Sequence, residues 1–364
     1  MKTIVTFGEI MARLCPAGFL KIRQSLPGAL DVTFAGAEAN VAVSIANLGG
    51  DARFVTALPD NDLADACLAT LKGHGVDTRR ILRRKEGRLG LYFVETGANQ
   101  RPSRVIYDRD HSAVSLTPGD AYDWAGALEG AGWLHFSGIT PALSQTAAAA
   151  TKLAVTRARA AGCTISCDLN FRNKLWRWQP GVPPRELAGK VMRELLPHVD
   201  VLIANEEDAH DVLGITAEGS DIHAGKLDAS KYQNVAEKII AQFPSIRRVA
   251  ITLRESLSAS HNNLGAMLHD AAEKRAFFAP LDAAGAHRPY EIRNIVDRVG
   301  GGDSFAAALI FALNTPGLDA PATAISFAAA ASCLAHSIQG DFNFTTRAEV
   351  ESLMGGSASG RVIR

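Results

Sequence analysis

Between Asn294 and Leu313 the chain reads NIVDRVGGGDSFAAALIFAL: a short apolar stretch, an aspartate, three consecutive glycines, a second aspartate and an apolar run. Glycine lets the backbone turn sharply and lets a ligand approach main-chain atoms closely. A helix N-terminus, with its unpaired N–H groups and partial positive charge, favours an anion, most often phosphate. A carboxylate beside such a site repels that anion. The arrangement makes sense where the carboxylate is used, and taking a proton from an alcohol that attacks the phosphate is such a use. Asp303 is therefore a candidate general base, and Gly300, Gly301 and Gly302 a candidate anion cradle. Taken alone, Asp303 is equally a helix N-cap and Asp297 a turn residue.

Two other phosphate-binding patterns do not fit. A dinucleotide fold wants its glycines directly after the first strand, and FGEIMARL stands there instead. A nucleotide-triphosphate P-loop wants lysine and a hydroxyl residue after its glycines, and neither follows Gly302 in that form.

The elements that must position these residues follow an α/β rhythm. RFVTAL precedes a helix expected over Asn61 to His74, WLHF one over Ser144 to Ala161, and CTISCDL one over Arg185 to Leu196. VDVLIANE, RRVAITL and YEIRNIVD continue the series up to the helix beginning near Asp303. The pattern predicts a mostly parallel central sheet with helices on both faces, whose ligands bind beyond the carboxyl ends of the strands. The candidate residues fall there: Asn170 and Arg172 after one strand, Asn205 and Glu206 after another, Arg254 and Glu255 after a third, Gly300 to Asp303 after a fourth. Residues of about 11–34 and 88–113 break the rhythm with short extended runs and turns, which predicts a small β-rich appendage. Such an appendage suits a lid closing on a ligand or an interface between copies, and one element can serve both. The polar stretch Glu218 to Lys231 reads as a surface insertion.

Composition narrows the classes. At 364 residues, 47% hydrophobic and 21% charged, the chain can bury a large core in one principal domain. Zero formal net charge implies no bulk attraction to nucleic acid or anionic membrane. The longest alanine-rich run, Ala320 to Ala335, falls short of a membrane span and reads as a buried helix. No targeting segment is expected. Five scattered cysteines fit a reducing cytoplasm, and Cys163 and Cys167, lacking a second Cys/His pair, read as buried thiols in preference to metal ligands.

The chain resembles the ribokinase-like (PfkB) carbohydrate kinases. Their C-terminal signature, D-x-x-G-A/G-G-D, is matched by DRVGGGD, and their N-terminal signature by FAGAEANVAVSIANLGG, where Gly36 and Asn40 are retained and Ala35 stands in place of the first glycine. Both signatures occur in order and at the expected ends. The resemblance implies a three-layer fold with a small β lid and transfer of the ATP γ-phosphate to a sugar hydroxyl, with Asp303 as general base and Gly300 to Gly302 as anion hole. It implies Mg²⁺ with the ATP and leaves room for a monovalent cation. The family's N-x-x-E metal motif corresponds to NEED, where Asn205 is kept and Asp208 takes the fourth place, so Glu206, Glu207 or Asp208 would serve; ordinary capping of the next helix is the alternative.

The choice of sugar turns on arginines. Tyr107 and Arg109 share one face of an extended strand, and Arg172 follows a core strand. Arginine grips a carboxylate through a fork of charge-assisted hydrogen bonds, whereas a lone arginine more often makes a surface ion pair. These stretches are similar to those of the branch that phosphorylates 2-keto-3-deoxygluconate, where matching positions, here Tyr92, Tyr107, Arg109 and Arg172, line the sugar-acid pocket. TLRESLSASHN, holding Thr252, Arg254 and Glu255, is similar to that branch's nucleotide side, and Ala37 replaces the lysine of ribose-specific members. Fructokinase, 5-keto-2-deoxygluconate kinase and a non-catalytic sugar-acid sensor are the alternatives.

Overall fold

A computed structural model describes residues 2–216 and 229–356. Most of the stretch 218–231 lies outside them, and Lys231 belongs to the helix Ala229–Gln242.

A nine-stranded sheet forms the centre. Its parallel part runs in spatial order Ala52–Val55, Thr3–Phe7, Ala131–Ser137, Thr164–Asp168, Val201–Ala204 and Arg248–Ser258. Where these strands pair in parallel they are short and mostly apolar, because both faces are covered. Leu202 and Ala204 face one core, with helices Gln145–Ala160, Pro184–Leu195 and Ala229–Gln242; Val201 and Ile203 face the other, with Ala37–Asn47, Gly301–Leu313 and Pro321–Ala335. The result is three layers. Helices Gly301–Leu313 and Pro321–Ala335 are apolar on nearly every side because they pack on each other as well as the sheet, with Phe311 stacked on Phe327 at 5.8 Å.

Two expectations need correction. Tyr290–Arg293 is not another parallel strand: it pairs antiparallel with His261–Asp270 at the edge, so the glycine turn is reached from a hairpin extension. Arg254 and Glu255 lie within the strand Arg248–Ser258, not after it. That strand outruns its parallel neighbour, which pairs with it only through Ile251, and its far half is held by the antiparallel partner. Both residues therefore still stand beyond the carboxyl end of the adjacent strand.

Residues 11–35 and 90–108 build a separate four-stranded sheet: Asp31–Ala35, Met11–Cys15, Gly90–Glu95 and Arg104–Asp108 in spatial order. The short helix Ile22–Ser25 stands between its strands where extended runs and turns were expected, and a second, Ala113–Leu116, follows its last strand. Period-2 alternation divides its faces. Tyr92 sits opposite Tyr107 on the inner face, their ring centroids 6.3 Å apart. Val32, Leu14, Phe93 and Ile106 stand in one cross-strand row on the other face.

Candidate active site

The carboxyl ends of the parallel strands and the inner face of the small sheet line a cavity of about 610 Å³. The glycine turn forms one wall. Gly300 has φ +84°, in the left-handed region, and a side chain there would overlap the carbonyl of Asp341, so this position requires glycine. The helix starts at Gly301, leaving its first N–H groups without intrahelical partners. A side chain at Gly302 would meet no protein atom within 4 Å, only the cavity.

Asp297 builds this turn. Its carboxylate accepts from the backbone N–H groups of Arg298 (2.8 Å), Val299 (3.1 Å) and Gly340 (3.2 Å) and pairs with the buried Arg13, which also donates to Asp341 at 2.5 Å. The first aspartate of DRVGGGD thus ties the turn to the root of the small sheet.

Asp303 is the third residue of its helix, so Gly300 and not Asp303 occupies the N-cap position. Asn40 Nδ2 donates to Asp303 Oδ2 at 2.6 Å, and Asn40 Oδ1 accepts from the Gly36 N–H at 3.1 Å. Gly36 must be glycine because the backbone of Glu9 passes against it. Burial pushes the Asp303 carboxyl up to about 7; the Asn40 hydrogen bond opposes this, the charges of Asp341 and Glu38 add to it, and Arg172 opposes it. Asp303 faces the cavity and is enclosed by protein elsewhere. A base poised near neutral pH with an open side suits proton abstraction.

Opposite stand further acids. Asp208 and Asn205 form a reciprocal capping box at the helix Glu206–Leu213: Asn205 Oδ1 accepts from the Asp208 N–H at 2.7 Å and Asp208 Oδ2 from the Asn205 N–H at 3.4 Å. Capping and cavity lining therefore coexist in NEED. Asp208 is buried and pushed up to about 6 by desolvation, with Arg172 opposing. Asp168, missed in the sequence, ends its strand half-buried at the cavity wall, its carboxyl raised by desolvation and by the charges of Asp208 and Asp303. Its carboxylate accepts from the Asn170 N–H at 3.2 Å, and Asn170 takes φ +37°, which asparagine tolerates. The side chain of Glu206 lies outside the described residues. Among the described residues no three acids or histidines gather into a metal cage. One or two carboxylates facing phosphate space nevertheless fit Mg²⁺, which keeps most of its waters and takes substrate oxygens.

The sugar-side residues also line the cavity: Gly36, Asn40, Tyr92, Tyr107, Arg109 and Arg172. The two arginines differ. Arg109 is 6% exposed and paired with the equally buried Glu9, whose carboxylate accepts from Arg109 Nε at 2.7 Å and from Nη2. Its charge is already matched by the protein, a pairing not legible in the sequence because Glu9 arrives from a hundred residues away. The guanidinium also lies 5.5 Å from the Tyr107 ring centroid. Arg172 is exposed to the cavity, donates to the Phe171 carbonyl at 3.0 Å, and has no carboxylate within ion-pair distance among the described residues.

Thr252, Arg254 and Glu255 line the other end, Glu255 accepting from Asn263 Nδ2 at 2.7 Å. Arg298, within the glycine motif itself, lines the cavity and was passed over in the sequence. Glu38, in the N-terminal signature, is fully buried, and its Oε1 accepts from Ser137 N–H (2.9 Å), Ser137 Oγ (2.7 Å) and Thr140 Oγ1 (2.9 Å), anchoring the helix that carries Asn40.

A glycine turn at a helix start, a buried carboxyl group beside it and a small sheet facing both sit on a three-layer α/β fold, an arrangement suited to phosphoryl transfer. Residues 1–346 match the pfkB family of carbohydrate kinases, and the chain belongs to that family, whose members are ATP-dependent sugar kinases. It is 45% identical in sequence to a 2-dehydro-3-deoxygluconokinase of known structure from Thermotoga maritima, with a TM-score of 0.87 over 98% of this chain and all of that one. It is 31% identical to the 2-dehydro-3-deoxygalactonokinase of Haloferax volcanii over 98% of both chains, and 26% identical to fructokinase-2 of Solanum lycopersicum over 84% of this chain and 80% of that one. Among the described residues no helix is long and apolar enough to cross a membrane.

Proposed function

We propose that the chain transfers the γ-phosphate of ATP to the primary hydroxyl of 2-keto-3-deoxygluconate, giving the 6-phosphate. The observation that carries this reading is the guanidinium of Arg172, turned to the cavity without a carboxylate of its own, in the same pocket as Asp303. A sugar carboxylate supplies the missing partner. Tyr107, beside Tyr92, offers a ring face and hydroxyl to seat the sugar chain, and Arg109, held by Glu9, adds donors without adding net charge.

Asp303 takes the proton of the attacking hydroxyl while Asn40 fixes the direction of its carboxylate. The N–H groups of the Gly300 to Gly302 turn hold the transferring phosphoryl oxygens with dipoles fixed before reaction. Bound Mg²⁺ would supply positive charge against the phosphate oxygens. Glu207, Asp208 and Asp168 face the space where it would sit and would hold it through water. Thr252, Arg254, Glu255 and Asn205 serve the nucleotide.

The small sheet acts as a lid that excludes water from the phosphoryl group. Its outer apolar row, with Val32 58% and Ile106 56% exposed, supports pairing of two copies through the same sheet; light scattering of an Ile106→Arg variant, expected monomeric, tests this. The unpaired state of all five cysteines supports work in a reducing compartment such as the cytoplasm. Fructose is the second reading, favoured by the Glu9 that already neutralises Arg109. Coupled ADP release across keto-deoxy sugar acids, fructose and ribose decides: turnover confined to the acids supports the proposal, and preference for a neutral sugar overturns it.

A further inference from the structure

Arg298 occupies the first variable place of DRVGGGD, two residues before the glycine turn, and its environment is not that of a structural ion pair. Its adjacent carboxylate, Asp297, is committed to Arg13 and to three backbone N–H groups. Arg298 Nη2 donates to the Ser258 carbonyl at 3.2 Å and to Asn262 Oδ1 at 3.1 Å, both neutral, while its Nε–H is buried without an acceptor. Arg254 lines the same end of the cavity, and its charge acts on Arg298. Burial, then the repulsion of Arg254, disfavours the charged form of Arg298, with Asp297 opposing. Two guanidiniums lining one cavity beside an N–H cradle, one with an unsatisfied buried donor, are unfavourable until an anion joins them.

We infer that Arg298 and Arg254 form a two-guanidinium clamp for the phosphate tail of the nucleotide donor, continuing the anion site that the Gly300 to Gly302 turn begins. The inference rests on the kinase reading and deepens it: the glycine N–H groups receive the phosphoryl group in transit, and the clamp holds the phosphates that remain on the leaving nucleotide. Arginine suits this task because its planar fork meets two phosphate oxygens at once. The same chemistry could instead grip the phosphate of the sugar product, so the test separates the two sources.

Calorimetric titration of wild type, Arg298→Gln and Arg254→Gln with ATP, ADP and adenosine reads the clamp directly. Each substitution is expected to weaken ATP and ADP by about ten- to a hundred-fold, the effect of losing a hydrogen bond to a charged group, and to leave adenosine unchanged. Unchanged adenosine binding also shows that the variants fold, and Arg254, exposed to the cavity, gives a variant without core disturbance. Arg298→Lys is expected to recover only part of the loss, since lysine keeps charge without the fork. Wild-type ADP affinity in both glutamine variants, or equal losses for adenosine and ADP, overturns the clamp while the kinase reading stands. Weaker inhibition by the sugar phosphate with ADP binding intact overturns its assignment to the donor. A wild type that binds no adenine nucleotide overturns the kinase reading first.

Discussion

Asn40 and Asp303, 263 positions apart in the chain, meet in a 2.6 Å hydrogen bond that joins the two signature segments at the cavity wall. Asn40 donates to Asp303 and receives from Gly36, so its amide orientation is fixed at both ends. Because this bond favours the ionised carboxyl, removing it should raise the pKa of Asp303. The acid limb of kcat/KM in wild type is expected near pH 7; in Asn40→Ala it should move to higher pH, with part of the lost rate recovered in alkaline buffer. A pH–rate profile checks both limbs, and a uniform loss at every pH would mean that Asn40 holds the sugar alone.

Asp303 also bears on stability. Its folded pKa, about 7, lies above its ordinary value of 3.8, so between those values the folded state binds the extra proton. Stability linked to this group is therefore lost as pH rises from about 4 to about 7. Asp303→Asn should abolish turnover, by roughly a hundred- to ten-thousand-fold, yet melt higher than wild type at neutral pH. The gain is at most about 4 kcal/mol, from three units at 1.36 kcal/mol each, less what the open cavity screens. Thermal melts at pH 4.5 and 8 should show the difference shrinking in acid.

Glycines of one motif should fail for different reasons. Gly302→Val adds a side chain that touches only cavity, so the protein should fold with wild-type stability and lose ATP binding and rate. Gly300→Ala forces a Cβ into the Asp341 carbonyl at φ +84° and should lower the melting temperature. Melting curves beside nucleotide titration separate the two.

Arg13 bridges Asp297 and Asp341 with all three side chains at most 5% exposed. Arg13→Leu leaves two buried carboxylates without their cation, at a cost of about 3–5 kcal/mol. Urea unfolding measures it. The small sheet should detach before the main one, since Arg13 belongs to the former and both acids to the latter side of the cavity.

Local pattern carried the α/β architecture because largely apolar strand runs alternate with helical stretches, some of which announce their caps, as those at Asn61 and Ser144 do. The direction of Tyr290–Arg293 was not legible, since an edge strand's partner is chosen by the hairpin beside it and not by its own four residues. Asp303 and the glycines were legible because their spacing is short. Glu9 opposite Arg109, and Arg13 between two aspartates, were not: each pair forms only when the small sheet docks, and nothing in either segment alone records it. Asp168 was within reach, standing at the carboxyl end of the strand whose Asn170 and Arg172 were chosen.

We propose that Arg172 reads a carboxylate in the sugar kinase site. The most direct measurement is kcat/KM for 2-keto-3-deoxygluconate and for fructose, in wild type and Arg172→Leu, with ATP affinity measured alongside. Wild type should prefer the acid strongly, and the variant should lose about 2–5 kcal/mol, roughly thirty- to several-thousand-fold, on the acid alone. Equal losses on both sugars, or a wild type that prefers fructose, would contradict it.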